Sequence, residues 1–284
     1  MLNQADKARA FRALHERSAA FIIPNPWDAG SARLLAGFGF EALATTSAGY
    51  AFSLGRRDNM VGRDEVLQHL SAIVSATNLP VSADLEDGFG GGPQNVAETI
   101  RLAAAAGVVG GSIEDATGRP EQPLYDQDAA VERIRAASEA ARELSFPFTL
   151  TVRAENYLVG RPHLHDTIKR LQAYQEAGAD VLYAPGLTSA ADIEAIVSSV
   201  DRPVNVLMGL QGVRLSLAEL SSIGVKRVSV GSALSRLAYG ALVRAALEMK
   251  QHGTFAFADN AIPYRKLSEL FPADSARHAA KPLQ

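Results

Sequence analysis

The chain has 284 residues, 47% of them hydrophobic and 21% charged, with a net charge of −3 and no cysteine. No stretch nears the roughly 20 apolar residues of a membrane span, and the charge offers no electrostatic reason to bind nucleic acid. The missing thiols remove disulfides, thiolate nucleophiles and zinc–sulfur sites together, so any metal must be held by oxygen or imidazole.

Residues 1–18 carry Asp6, Lys7, Arg9, Arg12, Glu16 and Arg17 without an apolar run, which predicts a helix and not a signal peptide, and hence a cytoplasmic protein. Short β-branched or apolar runs then alternate with helical periods. Strands are predicted at 21–25, 42–46, 81–86, 108–114, 148–153, 181–185, 204–208 and 227–231, with helices at 63–77, 95–106, 128–144, 164–177, 190–200, 217–223 and 234–251. Gly39, Gly107, Gly178 and Gly224 fall between a helix and the next strand, where a left-handed cap turns the chain back. Eight such units predict a (β/α)8 TIM barrel over 1–255, of the size that closes around one core. A C-terminal helical arm and tail follow at 256–284, with a helix at 261–270 and a loosely ordered end from 273. The arm is expected to pack on the outside of the barrel or on a neighbouring subunit.

In such a barrel the C-terminal ends of the strands carry the chemistry, and here those ends are acidic. Strand three ends in Asp84-Leu85-Glu86-Asp87-Gly88, strand four in Glu114-Asp115, and Asp58 follows strand two. Strand alternation sends Asp84 and Glu86 to one side, and closure brings Glu114 beside them. Crowded carboxylates repel unless a cation compensates them, and Mg²⁺ suits oxygen ligands and retained waters. The competing reading makes Asp84 or Asp115 a helix cap and leaves Glu86 in solvent. Arg153, ending strand five, either grips an anion in two-pronged fashion or pairs with Glu155; the two roles are compatible. Asn205 and Arg236 extend the polar rim, and Thr45, Thr46 and Ser47 either cradle a carboxylate or form an ordinary turn. Tyr183 reads as a proton donor or a packing residue. The glycines of 87–92 give backbone room and form no phosphate loop, whereas Val230-Gly231-Ser232 has a faint phosphate-binding look. His163, His165, Trp27 and Asp28 read as capping or packing residues.

These motifs together resemble the isocitrate lyase/phosphoenolpyruvate mutase family over residues 21–255. The matching stretches are 25–32 (NPWDAGSA), Thr45 to Gly49, 54–58 (LGRRD), 84–90 (DLEDGFG), Ile113-Glu114-Asp115 and 152–155 (VRAE). The resemblance implies Mg²⁺, with Mn²⁺ as the alternative, held directly or through water by the positions of Asp58, Asp84, Glu86 and Glu114. It implies a small carboxylate bound by Arg153 and the 45–47 stretch. It also implies a homodimer or homotetramer that swaps C-terminal helices. Two departures bear on the reaction. The mobile Lys-Lys-Cys-Gly-His loop of the family's lyases is replaced by Ala116-Thr117-Gly118-Arg119-Pro120-Glu121, and strand six ends in Tyr183-Ala184-Pro185-Gly186 without the lyases' glutamate or the mutases' histidine. The expected activity is a Mg²⁺-dependent carbon–carbon lyase or decarboxylase on an oxaloacetate-like or substituted malate-like acid, through a metal-stabilised enolate. Phosphonate P–C chemistry and a non-catalytic binding protein are the alternatives.

Overall fold

The computed structural model describes residues 2–271; the expectation for the end from 273 lies outside them. Helix α1 (Gln4–Glu16) opens on Asn3, whose side chain accepts the Asp6 N–H, and buries Ala8, Phe11, Leu14 and His15 on one face. That face meets Phe21, Ile23, Ala42 and Val109 and closes the N-terminal end of a barrel. At Gly110 a Cβ would stand 2.9 Å from the Phe11 ring, so the missing side chain is what lets the helix seat there.

The barrel strands are β1 (Phe21–Ile23), β2 (Leu43–Ala44), β3 (Val81–Asp84), β4 (Gly110–Glu114), β7 (Thr149–Arg153), β8 (Val181–Tyr183), β9 (Val204–Leu207) and β10 (Arg227–Ser229); β5 (Ala116–Arg119) and β6 (Gln122–Leu124) form a separate antiparallel hairpin. All ladder pairs of the large sheet are parallel, in the order β1-β10-β9-β8-β7-β4-β3-β2. The seam between β1 and β2 is closed by the Ala44 N–H donating to Pro24 O (3.1 Å) and by the Asn25 side chain. Asn25 Nδ2 donates to Thr45 O (3.0 Å), and its Oδ1 accepts the Val230 and Gly231 N–H groups at 2.9 and 3.0 Å. One amide thus joins three strands, and the expected (β/α)8 barrel is formed.

The outer helices are α2 (Ala29–Gly37), α3 (Ser47–Ser53), α4 (Arg63–Ala76), α5 (Pro93–Ala105), α6 (Gln127–Arg142), α7 (Leu164–Glu176), α8 (Ala190–Ser198) and α9 (Leu217–Ser222). Their buried positions recur every three or four residues, as Val96, Ile100, Ala103 in α5 and Ala130, Ile134, Ala137, Ala141 in α6 show. Gly39, Gly107, Gly178 and Gly224 take φ of 84°, 100°, 108° and 91°, the left-handed turn expected of them. Most strands end earlier than predicted, with Leu85, Ala184 and Met208 buried in the loops that follow, whereas β4 and β7 keep their predicted ends and start later.

Helix α10 (Ala233–His252) behaves differently. It runs 20 residues, about 30 Å, yet buries only Ser235. Leu237, Leu242, Val243 and Leu247 are exposed along it, Leu237 by 66%. A 3₁₀ turn (Ala256–Asn260) and α11 (Tyr264–Glu269) continue the arm with Phe255, Ile262 and Tyr264 also exposed. Among the described residues no helix is long and apolar enough to cross a membrane.

Candidate active site

The strand register sets Glu114 beside Arg153 and Arg153 beside Tyr183. Arg153 is largely buried, and its guanidinium meets three acids: Nε donates to Glu155 Oε1 (2.6 Å), while Nη1 lies 3.1 Å from Asp84 Oδ1 and 3.2 Å from Glu114 Oε2. The Tyr183 ring lies 5.3 Å from the guanidinium carbon. Burial works against the Arg153 charge, but Glu155, Glu114 and Asp84 outweigh it and raise its pKa. The carboxyls are driven the same way. Glu114 is raised well above the ordinary range by burial, against the pull of Arg153, and Glu86 is pushed up to about 8 by burial and then by the charges of Asp84 and Asp58. Asp58, exposed at the mouth, is raised by its partly desolvated surroundings and by Asp84.

Glu86 reaches this cluster by a route other than alternation. Strand β3 stops at Asp84, and Glu86 sits in the left-handed region at φ 48°, followed by Gly88 at 89° and Phe89 at 58°. A β-strand projection would have been wrong about the backbone even though the side chain ends buried and near Asp84. Non-glycine residues hold this conformation only where surrounding structure imposes it. Here the Thr99 hydroxyl donates to Gly88 O (2.8 Å) and the Glu114 N–H donates to Glu86 O (3.0 Å).

Neither Asp84 nor Asp115 caps a helix. Asp84 Oδ2 accepts the Ser47 N–H (3.1 Å), and the Asp84 N–H donates to Thr45 Oγ1 (2.9 Å). Thr46 spends its hydroxyl on the Gly49 N–H (3.2 Å), capping α3. Asp115, which sequence reasoning left without a role in the site, is a buried anchor: Oδ1 accepts the Glu155 N–H (2.8 Å), and Oδ2 accepts from Tyr174 OH (2.5 Å) and Arg170 Nη1 (3.0 Å). It holds the segment after β7 and so aims Glu155 at Arg153. The signal lay in α7, where Arg170 shares the buried face with Thr167, Leu171 and Tyr174.

A cavity of about 160 Å³ opens beside this cluster, with Thr45, Ser47, Asp58, Tyr183 and Asn205 in its wall. Arg236 is exposed on the first turn of α10 and does not line it. Asp28 caps α2 in a reciprocal box with Ser31, and His163 caps α7 through the Asp166 N–H, as the sequence suggested. The faint phosphate look of 230–232 dissolves: the Val230 and Gly231 N–H groups are already taken by Asn25. The stretch replacing the lyase loop is the β5–β6 hairpin, closed by the Thr117 hydroxyl on Gln122 O, and it walls an outer cavity with Asp58 and Glu114.

Residues 11–250 match the family model of phosphoenolpyruvate phosphomutase. The chain belongs to the isocitrate lyase/phosphoenolpyruvate mutase family. It is 31% identical over 204 residues to 2-methylisocitrate lyase of Escherichia coli K12, spanning 69% of this chain and 68% of that one. A Burkholderia cenocepacia J2315 protein described as a lyase/mutase superposes with a TM-score of 0.92 at 65% identity, over 95% of this chain and 97% of its own. Oxaloacetate acetylhydrolase in complex with its product oxalate gives 0.85 at 26%, over 98% and 97%. Phosphonopyruvate hydrolase in complex with oxalate and Mg²⁺ gives 0.81 at 25%, over 93% and 94%. The protein is thus an enzyme of a superfamily whose members include lyases.

Does the donor set suit the metal? Among the described residues no three His, Asp or Glu side chains stand at direct ligating geometry, since Arg153 lies between Asp84 and Glu114. The groups are all hard oxygens, and Asp58, Glu86 and Glu114 have raised pKa values. That set fits Mg²⁺, which is commonly held by one or two carboxylates with waters completing its shell.

Proposed function

We propose that the protein is a Mg²⁺-dependent carbon–carbon lyase or decarboxylase acting on a small α-oxo or 2-hydroxy dicarboxylate, oxaloacetate-like or substituted malate-like. The observation that carries this reading is the single guanidinium of Arg153 facing a surplus of carboxylates at the strand ends. Asp84, with Glu86 and Glu114, would hold Mg²⁺, or Mn²⁺ in its place. The ion would polarise the substrate's oxygen and stabilise the negative charge that builds on it when the carbon–carbon bond breaks.

The chain's own groups do the rest. The ion pairs of Arg153 use Nε and Nη1, so Nη2, which donates no hydrogen bond to an acid among the described residues, is the donor we assign to the substrate carboxylate. Asp58, in the walls of both the inner and the outer cavity, is the group we assign to taking or returning the proton, while Glu114 stays ionised toward the ion. Tyr183 and Asn205 shape the cavity wall; Thr45 and Thr46 act chiefly by fixing Asp84 and α3. Arg236 would join only through movement of α10 or from a second copy.

The exposed apolar length of α10 and the arm supports a homo-oligomer, with C-terminal helices exchanged between subunits. The enzymatic test is incubation with Mg²⁺ and a panel of oxaloacetate, substituted malates, methylisocitrate and phosphonopyruvate, followed by NMR. Pyruvate or a close α-oxo acid from a four-carbon diacid is expected, with Asp84→Ala abolishing it. Phosphate from phosphonopyruvate would replace this reading with P–C chemistry.

A further inference from the structure

Below the acidic cluster the cavity reaches a second arginine. Arg227, on β10 and 5% exposed, lines the same cavity as Asp84 and Arg153. Its Nε donates to Asn205 Oδ1 (2.8 Å), its Nη2 to Thr151 Oγ1 (2.9 Å), and its Nη1 faces His15 Nε2 at 3.4 Å. His15 Nδ1 lies 2.9 Å from Phe11 O, so the proton sits on Nδ1 and Nε2 is free to accept from the guanidinium. All three partners are neutral. No carboxylate among the described residues pairs with Arg227, and burial draws its pKa down to about 10.

A buried charge without an opposite charge is expensive and is tolerated where a counter-charge arrives from elsewhere. The surroundings leave room for one. Barrel interiors of this class are usually filled by bulky branched side chains, whereas here Ala44, Ser82 and Ser112 line the cavity. Five guanidinium N–H groups less the three engaged leave two. Thr151, which holds Arg227, precedes Arg153 by two residues on the same face of β7, so the two guanidinium groups lie at successive depths of one cavity.

We propose that Arg227 anchors a second anionic group of the substrate, so that the site selects diacids over monoacids of the same length. This rests on the reading above, in which the substrate's first carboxylate is held at the Asp84–Arg153 end. Asn205, Thr151 and His15 are positioning residues that fix the guanidinium.

The test compares malate with 2-hydroxybutyrate, which differ in a terminal carboxylate against a methyl group, by calorimetric titration of the full chain at saturating Mg²⁺. Oxalate, too short to reach Arg227, is the control. Wild-type protein is expected to bind malate about tenfold or more tighter than 2-hydroxybutyrate, the ratio for one charge-assisted contact. Arg227→Gln should bring the two within about threefold while oxalate affinity holds. Arg227→Lys should restore part of the preference. Equal binding of the two acids by wild type overturns the proposal without any variant, and so does a preference that survives Arg227→Gln, or a loss of oxalate binding in that variant alongside malate. Failure of wild type to bind oxalate with Mg²⁺ would instead remove the reading of the upper site.

Discussion

Replacing Arg153 by lysine isolates what the guanidinium shape contributes. The wild-type side chain reaches Glu155 through Nε at 2.6 Å and both Asp84 and Glu114 through Nη1 at 3.1 and 3.2 Å. A single ammonium cannot occupy both positions, so at least one contact to a buried carboxylate is lost; Glu155, 3% exposed, has most to lose. A hydrogen bond to a charged group contributes about 1.5–3 kcal/mol, which corresponds to a Tm lower by about 3–5 °C in a chain of this size. The fold should persist, because the core beneath the site is untouched. Turnover should fall further than stability, by about 100-fold in kcat/KM, since one ammonium that pairs with the acids no longer presents the separate Nη2 donor to the substrate. Circular dichroism and calorimetry give the first quantity, and NMR-monitored turnover of the substrate found in the panel gives the second. A folded Arg153→Lys protein with near-wild-type kcat/KM would refute the role assigned to Arg153.

Chelation of divalent metal should abolish turnover, and added Mg²⁺ should raise Tm, because a ligand of the folded state alone stabilises it; undiminished activity in excess chelator would sink the metal assignment. His15 and His69 are buried, with pKa values lowered to about 3 and about 4 by burial. Between those values and 6.5 the unfolded chain binds protons that the folded chain refuses, so their stabilising effect is whole above 6.5 and is lost as pH falls. From pH 7 to pH 5 the wild type should lose about 4 kcal/mol more than the His15→Gln/His69→Gln double variant in denaturant titrations; parallel pH profiles would show that the two rings protonate in place. Deleting the chain from Asp259 onward should shift the assembly toward monomer in light scattering at micromolar concentration, and a full-length monomer would remove the oligomer proposal.

Much of this architecture was legible because it depends on local chemistry. The cap at Asp28 follows from Ser31 three residues on, and the alternation of strand and helix follows from periodicities of two and 3.6. The acids at Asp84 and Glu114 were visible because barrel topology puts strand ends together. What escaped was decided by tertiary structure. Glu86 depends on a left-handed turn that no strand pattern encodes, and the β5–β6 hairpin replaces a loop known only by what it lacks. Arg227 looked like the first residue of an ordinary strand, and only the register beside Asn205 and the packing of His15 reveal a buried charge. The alternation of α10 is that of any amphipathic helix; its detachment from the barrel is a fact of docking.

The seam at Asn25 has a chemical lifetime as well as a geometry. Its amide is the joint for β1, β2 and β10, and conversion to aspartate would replace the donor that reaches Thr45 O with a second anionic acceptor. Spontaneous loss of ammonia from asparagine proceeds through attack by the next residue's backbone nitrogen, which must give up a hydrogen to close the succinimide ring. The next residue is Pro26, whose nitrogen carries none. The barrel is therefore closed at a point where its own backbone cannot age it by this route.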